Sequence, residues 1–151
     1  MQSDHIQVLS NTYESVLSEL GEHAFAKGWV EEAYIDALLE REESYPTGLE
    51  IPNETYAYGI AIPHADPEYV SEQALLLGVP ADSVTFHSMD DKDKEIDVHA
   101  IILLLIKDTD EYTTFLSNLT DLFQDGEFAE HIRDRDADAL MNMIFEKAKA
   151  I

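Results

Sequence analysis

Gly59-Ile60-Ala61-Ile62-Pro63-His64-Ala65-Asp66-Pro67 reads as a strand that stops at a histidine and turns into a helix start. Tyr56, Tyr58, Ile60 and Ile62 alternate with smaller residues, the pattern of a pleated, half-buried strand. Pro63 has no N–H to give to a sheet ladder, so the strand ends there. Asp66-Pro67-Glu68 follows as N-cap, N1 and N2 of a short helix. His64 is thereby predicted at the carboxyl end of a strand, beside the free N–H groups of a helix start. Open α/β sheets bind ligands at such corners, and an anion is stabilised there.

Outward from this stretch, the chain alternates helical and strand patterns. Residues 1–9 read as a mobile start. Tyr13, Val16, Leu17, Leu20 and Ala24 recur at helical spacing, which predicts an amphipathic helix over 10–27 stopped by Gly28. A second helix over 31–44 carries Ala33, Tyr34, Ala37, Leu38 and Leu39 on its apolar side, and Pro46 and Gly48 punctuate the loop 44–49. Beyond the central strand, Ala74–Val79 reads as a buried strand and Val84–His87 as a short one. Residues 90–95 form a charged loop without the spacing of a calcium site. Ile96 to Ile106, the most apolar run, predicts one central strand buried on both faces. Asp110 is placed to cap the next helix, which buries Phe115, Leu116, Leu119, Leu122 and Phe123 and is ended by Gly126. A last helical region over 128–150 turns Leu140, Met143, Ile144 and Ala148 inward. No internal repeat or linker interrupts the pattern. The expectation is one domain over 1–151, a three-layer α/β arrangement of helices flanking a small, largely buried sheet.

Composition narrows the function. The 151 residues include 45% hydrophobic ones, enough for a substantial core. There are no cysteines, which excludes disulfides, thiolate catalysis and cysteine-ligated zinc and fits a reducing, cytoplasmic setting. No apolar run is long enough to span a membrane, and Met1-Gln2-Ser3-Asp4 lacks the layout of a signal peptide. Against 32 acidic residues stand 9 basic ones, for a formal net charge of -23. Such a surface repels nucleic acid and anionic membranes. The acids are scattered, so most of this charge reads as a solvated surface.

Two separated motifs carry a family resemblance. Arg41-Glu42…Pro46-Thr47-Gly48-Leu49, followed by Gly59–Asp66, resembles the enzyme IIA domain of the bacterial sugar phosphotransferase system, mannitol/fructose type. Val84–Met89 and Ile96-Asp97-Val98 resemble the galactitol branch. The resemblance covers nearly the whole chain and implies a small mixed sheet flanked by helices. It implies a phosphotransferase that takes a phosphoryl group on a histidine from the histidine phosphocarrier protein. The group then passes to a cysteine of enzyme IIB, which feeds a sugar permease. On this chain the implied phosphorylated residue is His64 and the arginine beside the phosphoryl group is Arg41. Mannitol relatives carry a second histidine early in the helix after the long strand; the matching position here is Tyr112, which reads as a packing residue.

The chemistry suits these residue types. A neutral imidazole is nucleophilic near physiological pH and holds a phosphoryl group that can leave again. Its other nitrogen must be fixed by a hydrogen bond, for which a backbone carbonyl and His99 are the candidates. Transfer of a phosphoryl group depends mainly on positioning and electrostatics. Arg41 is suited to a bidentate clamp, and the N–H groups of Ala65 and Asp66 with the Thr47 hydroxyl are the expected remaining donors. The scheme needs no metal and no cofactor, and with no glycine-rich lysine loop present, ATP is not the expected donor. Two other readings differ in class. One is a regulatory module of the same fold that senses phosphorylation and binds other proteins. The other is a small metal-dependent hydrolase using His64, Asp66 and another histidine, for which no paired ligand spacing exists.

Overall fold

The computed structural model describes residues 1–148. Its elements in chain order are β1 (Gln2–Val8), α1 (Tyr13–Ala26), α2 (Tyr34–Ser44), β2 (Gly48–Ile51), β3 (Tyr58–Ala61), β4 (Ala74–Pro80), β5 (Val84–His87), β6 (Glu95–Val98), β7 (Ala100–Leu105), α3 (Thr109–Phe123), α4 (Gly126–Asp134) and α5 (Ala137–Lys147). Five strands form a mixed sheet in the order β1-β4-β7-β3-β2. The pairs β1–β4 and β3–β7 are parallel, and β4–β7 and β2–β3 are antiparallel. β5 and β6 make a separate antiparallel ribbon.

The period-2 alternation of β7 builds both cores. Ala100, Ile102 and Leu104 face a layer made by α3, α4 and α5, where Phe115, Leu119, Phe128 and Ile144 pack. Ile101, Leu103 and Leu105 face the opposite layer, where Leu17 and Leu20 of α1, Leu38 of α2 and Phe86 and Val98 of the ribbon pack. The result is the three-layer α/β domain expected from the sequence, with every residue of β4 and β7 buried.

Several local expectations are corrected. Residues 2–8 are a sheet strand, not a mobile start. Polar residues suffice there because β1 has one ladder neighbour and mostly exposed or half-buried positions. The loop 44–49 gives way to a strand at Gly48. β3 begins at Tyr58, not Tyr56, and all four of its residues are buried because it lies between β2 and β7. The run Ile96–Ile106 is two strands, broken at His99, whose N–H donates to the carbonyl of Gly59 at 2.8 Å. Before the break the chain pairs with β5, and after it with β4 and β3. An unbroken apolar run conceals that switch because both halves are buried. At the crossing, Gly59 lies so close to the carbonyl of Asp97 that a Cβ has no room.

The helix ends differ as well. Asp108, not Asp110, caps α3, accepting from the N–H of Asp110. Gly126 opens α4 under an Asp125 cap instead of closing α3. The last helical region is two helices, separated at Arg135, which takes a left-handed conformation with φ of 55°. Residues 149 and 150 of the expected helix lie outside the described residues. Gly28 does stop α1, with φ of 77°.

Candidate active site

The segment after β3 is pinned from both sides before it reaches His64. On one side the N–H of Ile62 donates to the carbonyl of Thr47 at 3.4 Å, one rung beyond the β2–β3 ladder. On the other, the N–H of Leu104 in β7 donates to the carbonyl of Pro63 at 3.1 Å. Pro63 itself offers no N–H and a fixed φ. His64 therefore follows a segment beyond the carboxyl end of β3 that is held by backbone bonds on both sides. Its Nδ1 lies 3.2 Å from the carbonyl oxygen of Ile62. A carbonyl only accepts, so Nδ1 is the donor and the lone pair of the neutral ring resides on Nε2.

The half-buried ring packs 6.0 Å, centroid to centroid, from Tyr112 at the start of α3. Burial lowers the pKa of His64 below the usual histidine value; the bond to Ile62 opposes this, the charge of Arg41 adds to it, and Asp66 works against it. The net effect favours the neutral, nucleophilic imidazole. Tyr112 is shifted upward by burial, with the Arg41 charge opposing, so the guanidinium acts on both rings.

Arg41 lies in the last turn of α2. Its guanidinium carbon sits 5.4 Å from the centre of the Tyr45 ring, and Nη1 is 3.8 Å from a carboxylate oxygen of Asp66. Its Nε is buried and has no hydrogen-bond partner among the described residues. Buried donors are normally satisfied, so an unpaired guanidinium N–H is an exception among the described residues. Arg41, Tyr45, Asp66 and Tyr69 line an open depression there.

The expected site residues separate into two groups. His64, Arg41 and Asp66 come together. Thr47 joins them through its backbone only. Its hydroxyl is buried and donates to the carboxylate of Glu42, at 3.0 and 3.1 Å from the two oxygens, so it is not an open donor. The helix start proposed after His64 is a single turn, Pro67–Tyr69, and Asp66 makes no side-chain cap there. Three residues align too few N–H groups for a helix-end anion site, and Asp66 turns to Arg41 instead. Ala65 is buried. His99 does not fix the tautomer of His64. Its Nδ1 accepts the N–H of Gly59 at 3.1 Å, and its ring meets the edge of Tyr56. The backbone carbonyl of Ile62 takes that role.

Two features were not assigned from the sequence. Tyr112 packs at the helix start as read, but the ring it packs against is His64. Glu42 is 4% exposed, an acid on the face of α2 that also buries Tyr34 and Leu38. The i, i+4, i+8 spacing of these three residues was the available signal.

The chain's residues 1–147 match the model of the phosphoenolpyruvate-dependent sugar phosphotransferase system EIIA 2 family. The chain belongs to this family. The galactitol-specific EIIA component of Escherichia coli K12 is 30% identical over 115 residues, covering 76% of this chain and 73% of that one. The crystal structure of IIA mannitol from Escherichia coli superposes with a TM-score of 0.67 at 22% identity, covering 91% of this chain and 94% of that one. The complex of enzyme IIAMTL and phosphorylated enzyme IIBMTL from Escherichia coli gives a TM-score of 0.68 at 21% identity, over 91% and 92% of the two chains. This EIIA chain thus has the mannitol-type fold and is a phosphotransferase component. No helix among the described residues is long and apolar enough to cross a membrane.

Proposed function

We propose that this EIIA protein carries a phosphoryl group on Nε2 of His64, received from the histidine phosphocarrier protein and passed to a cysteine of an enzyme IIB. In the first transfer the donor's N–P bond breaks as Nε2 forms a new one. The Nδ1 proton stays on the ring, held by Ile62. In the second, the Nε2–P bond breaks as a cysteine thiolate of the partner forms the S–P bond, and the imidazole returns to its starting tautomer. No other proton need move on this chain.

The observation that carries this reading is the pairing of a tautomer-fixed, neutral imidazole with a guanidinium whose buried Nε lacks a partner. The part-exposed side of that guanidinium can meet phosphoryl oxygens and offset the charge developing on them in flight. Tyr45 and Met89 are the exposed large apolar side chains nearest the site along the chain. Met89 is tied to the start of β2 by its N–H bond to the carbonyl of Gly48. They suit a shallow, transient interface for two successive partners. The enzyme IIB partner is supported by the solved complex of a protein of this fold, and a galactitol-like sugar by the galactitol-specific relative. The experiment is incubation with phosphoenolpyruvate, enzyme I and the phosphocarrier protein. One acid-labile phosphoryl group on the wild-type chain, and none on His64→Ala, is expected. An equally labelled His64→Ala moves the acceptor elsewhere.

A further inference from the structure

We propose that Glu42 is a positioning residue for His64: its buried carboxyl group anchors Thr47, and through the Thr47 and Ile62 peptide groups it fixes the imidazole with Nε2 free for transfer. The inference rests on the reading of His64 as the phosphoryl acceptor.

Glu42 stands where the periodicity of α2 calls for an apolar residue, in line with Tyr34 and Leu38. Burying an acid is costly unless its oxygens are bonded. Here one oxygen accepts the N–H of Thr47 at 2.8 Å, and both oxygens receive the Thr47 hydroxyl. Thr47, itself 4% exposed, then uses its carbonyl to accept the N–H of Ile62 at 3.4 Å. Ile62 in turn uses its carbonyl to accept Nδ1–H of His64 at 3.2 Å. The last registered pair of the β2–β3 ladder is Gly48 with Ala61. The Thr47–Ile62 rung lies beyond it, at the mouth of the α2–β2 loop, where Tyr45 is exposed. Glu42 is the group that keeps this outer rung from opening. Leu104 holds the neighbouring peptide from β7, so the segment before His64 is clamped from both directions.

The arrangement does more than close a joint. Glu42 follows Arg41 in α2. One turn of helix thus sets the guanidinium directly and the imidazole through Thr47, placing both in a common frame. Outer-shell partners of this kind orient a reacting group without touching it.

The test uses the full chain and three variants. Imidazole nitrogen NMR of the unphosphorylated protein reads the His64 tautomer. Single-turnover transfer from the phosphorylated phosphocarrier protein reads the rate, and partner affinity is measured alongside. For the wild type, Nδ1–H is the expected tautomer. Glu42→Ala should mix the two tautomers and slow transfer about 10–100-fold with affinity unchanged. Glu42→Gln, which keeps an acceptor for the Thr47 N–H, should restore most of both. Thr47→Val keeps the volume and the N–H bond but loses the hydroxyl, and should fall between them. A folded Glu42→Ala with the wild-type tautomer and rate overturns the proposal, as does a Glu42→Gln no better than Glu42→Ala. Should Glu42→Ala not fold, a Thr47→Val of wild-type tautomer and rate overturns it. If the wild type takes up no phosphoryl group, the acceptor reading fails, while the tautomer comparison still decides the role of Glu42.

Discussion

Arg41 and Asp66 line the same open depression, with Nη1 and Oδ1 3.8 Å apart. That separation is too long for a hydrogen bond, and both side chains are part exposed, so the pair is a loose one. A guanidinium held this way can engage a phosphoryl dianion without breaking a strong bond. Asp66 keeps it facing the site in the meantime.

Replacing Arg41 should therefore cost rate and little stability. Arg41→Ala is expected to slow phosphoryl transfer by about 100–1,000-fold and to shift the melting temperature little, because a half-exposed pair contributes about 0–1 kcal/mol. Arg41→Lys should recover only part of the rate, since an ammonium cannot reproduce the planar fork. Unchanged single-turnover rates in Arg41→Ala would remove the guanidinium from the reaction.

Glu42 gives a stability signature with a definite sign. Burial pushes its pKa up from 4.5 to about 7, against the opposing bonds from Thr47. Between those values the folded chain holds a proton that the unfolded chain has released. Stability is fully present below pH 4.5 and falls as pH rises to about 7, by about 3 kcal/mol for the whole shift. Glu42→Gln cannot titrate, so its unfolding free energy in urea should decline less over that range, and the variant should gain on the wild type at pH 8. Parallel curves for the two proteins would show that Glu42 titrates in the folded chain as it does in the unfolded one.

Tyr112 shields the imidazole. Because burial is the largest cause of the lowered His64 pKa, Tyr112→Ala should admit water and raise that pKa towards the ordinary value. The measurement is an NMR titration of the ring protons. The sign for stability is opposite to that of Glu42: a histidine held neutral contributes stability above its unfolded pKa, lost as pH falls through the folded one. An unmoved titration midpoint would mean that Tyr112 does not desolvate the ring.

The crossing of β3 and β6 tolerates no side chain at Gly59, where an added Cβ meets the backbone at the Asp97 carbonyl. Gly59→Ala should cost about 1–3 kcal/mol, as overpacking of a rigid site does, and lower the melting temperature accordingly. A variant as stable as the wild type would show that the strands separate easily there.

What the sequence disclosed follows from which signals are local. The end of β3 ahead of Pro63, the stop at Gly28 and the burial of β4 are carried by residues whose own geometry or hydrophobicity imposes the outcome. The break at His99 depends on which strand each half of the run pairs with, and no local pattern records that. Strand β1 was hidden because an edge position asks little of its side chains. At the site, His64 and Arg41 stand in a motif, and the structure places the Arg41 charge within reach of the imidazole. Thr47 and Asp66 were given the wrong contacts because those depend on a neighbour: Glu42 takes the hydroxyl, and Arg41 faces the carboxylate. Ile62 as the partner of Nδ1 is a backbone relation that side-chain identity does not encode.

The most direct measurement is to phosphorylate the chain through the phosphocarrier protein and identify the modified atom by phosphorus–nitrogen correlation NMR. The account predicts a single phosphoryl group on Nε2 of His64, with Nδ1–H still bonded to the carbonyl of Ile62. A phosphoryl group on Nδ1, or on any residue other than His64, would contradict it.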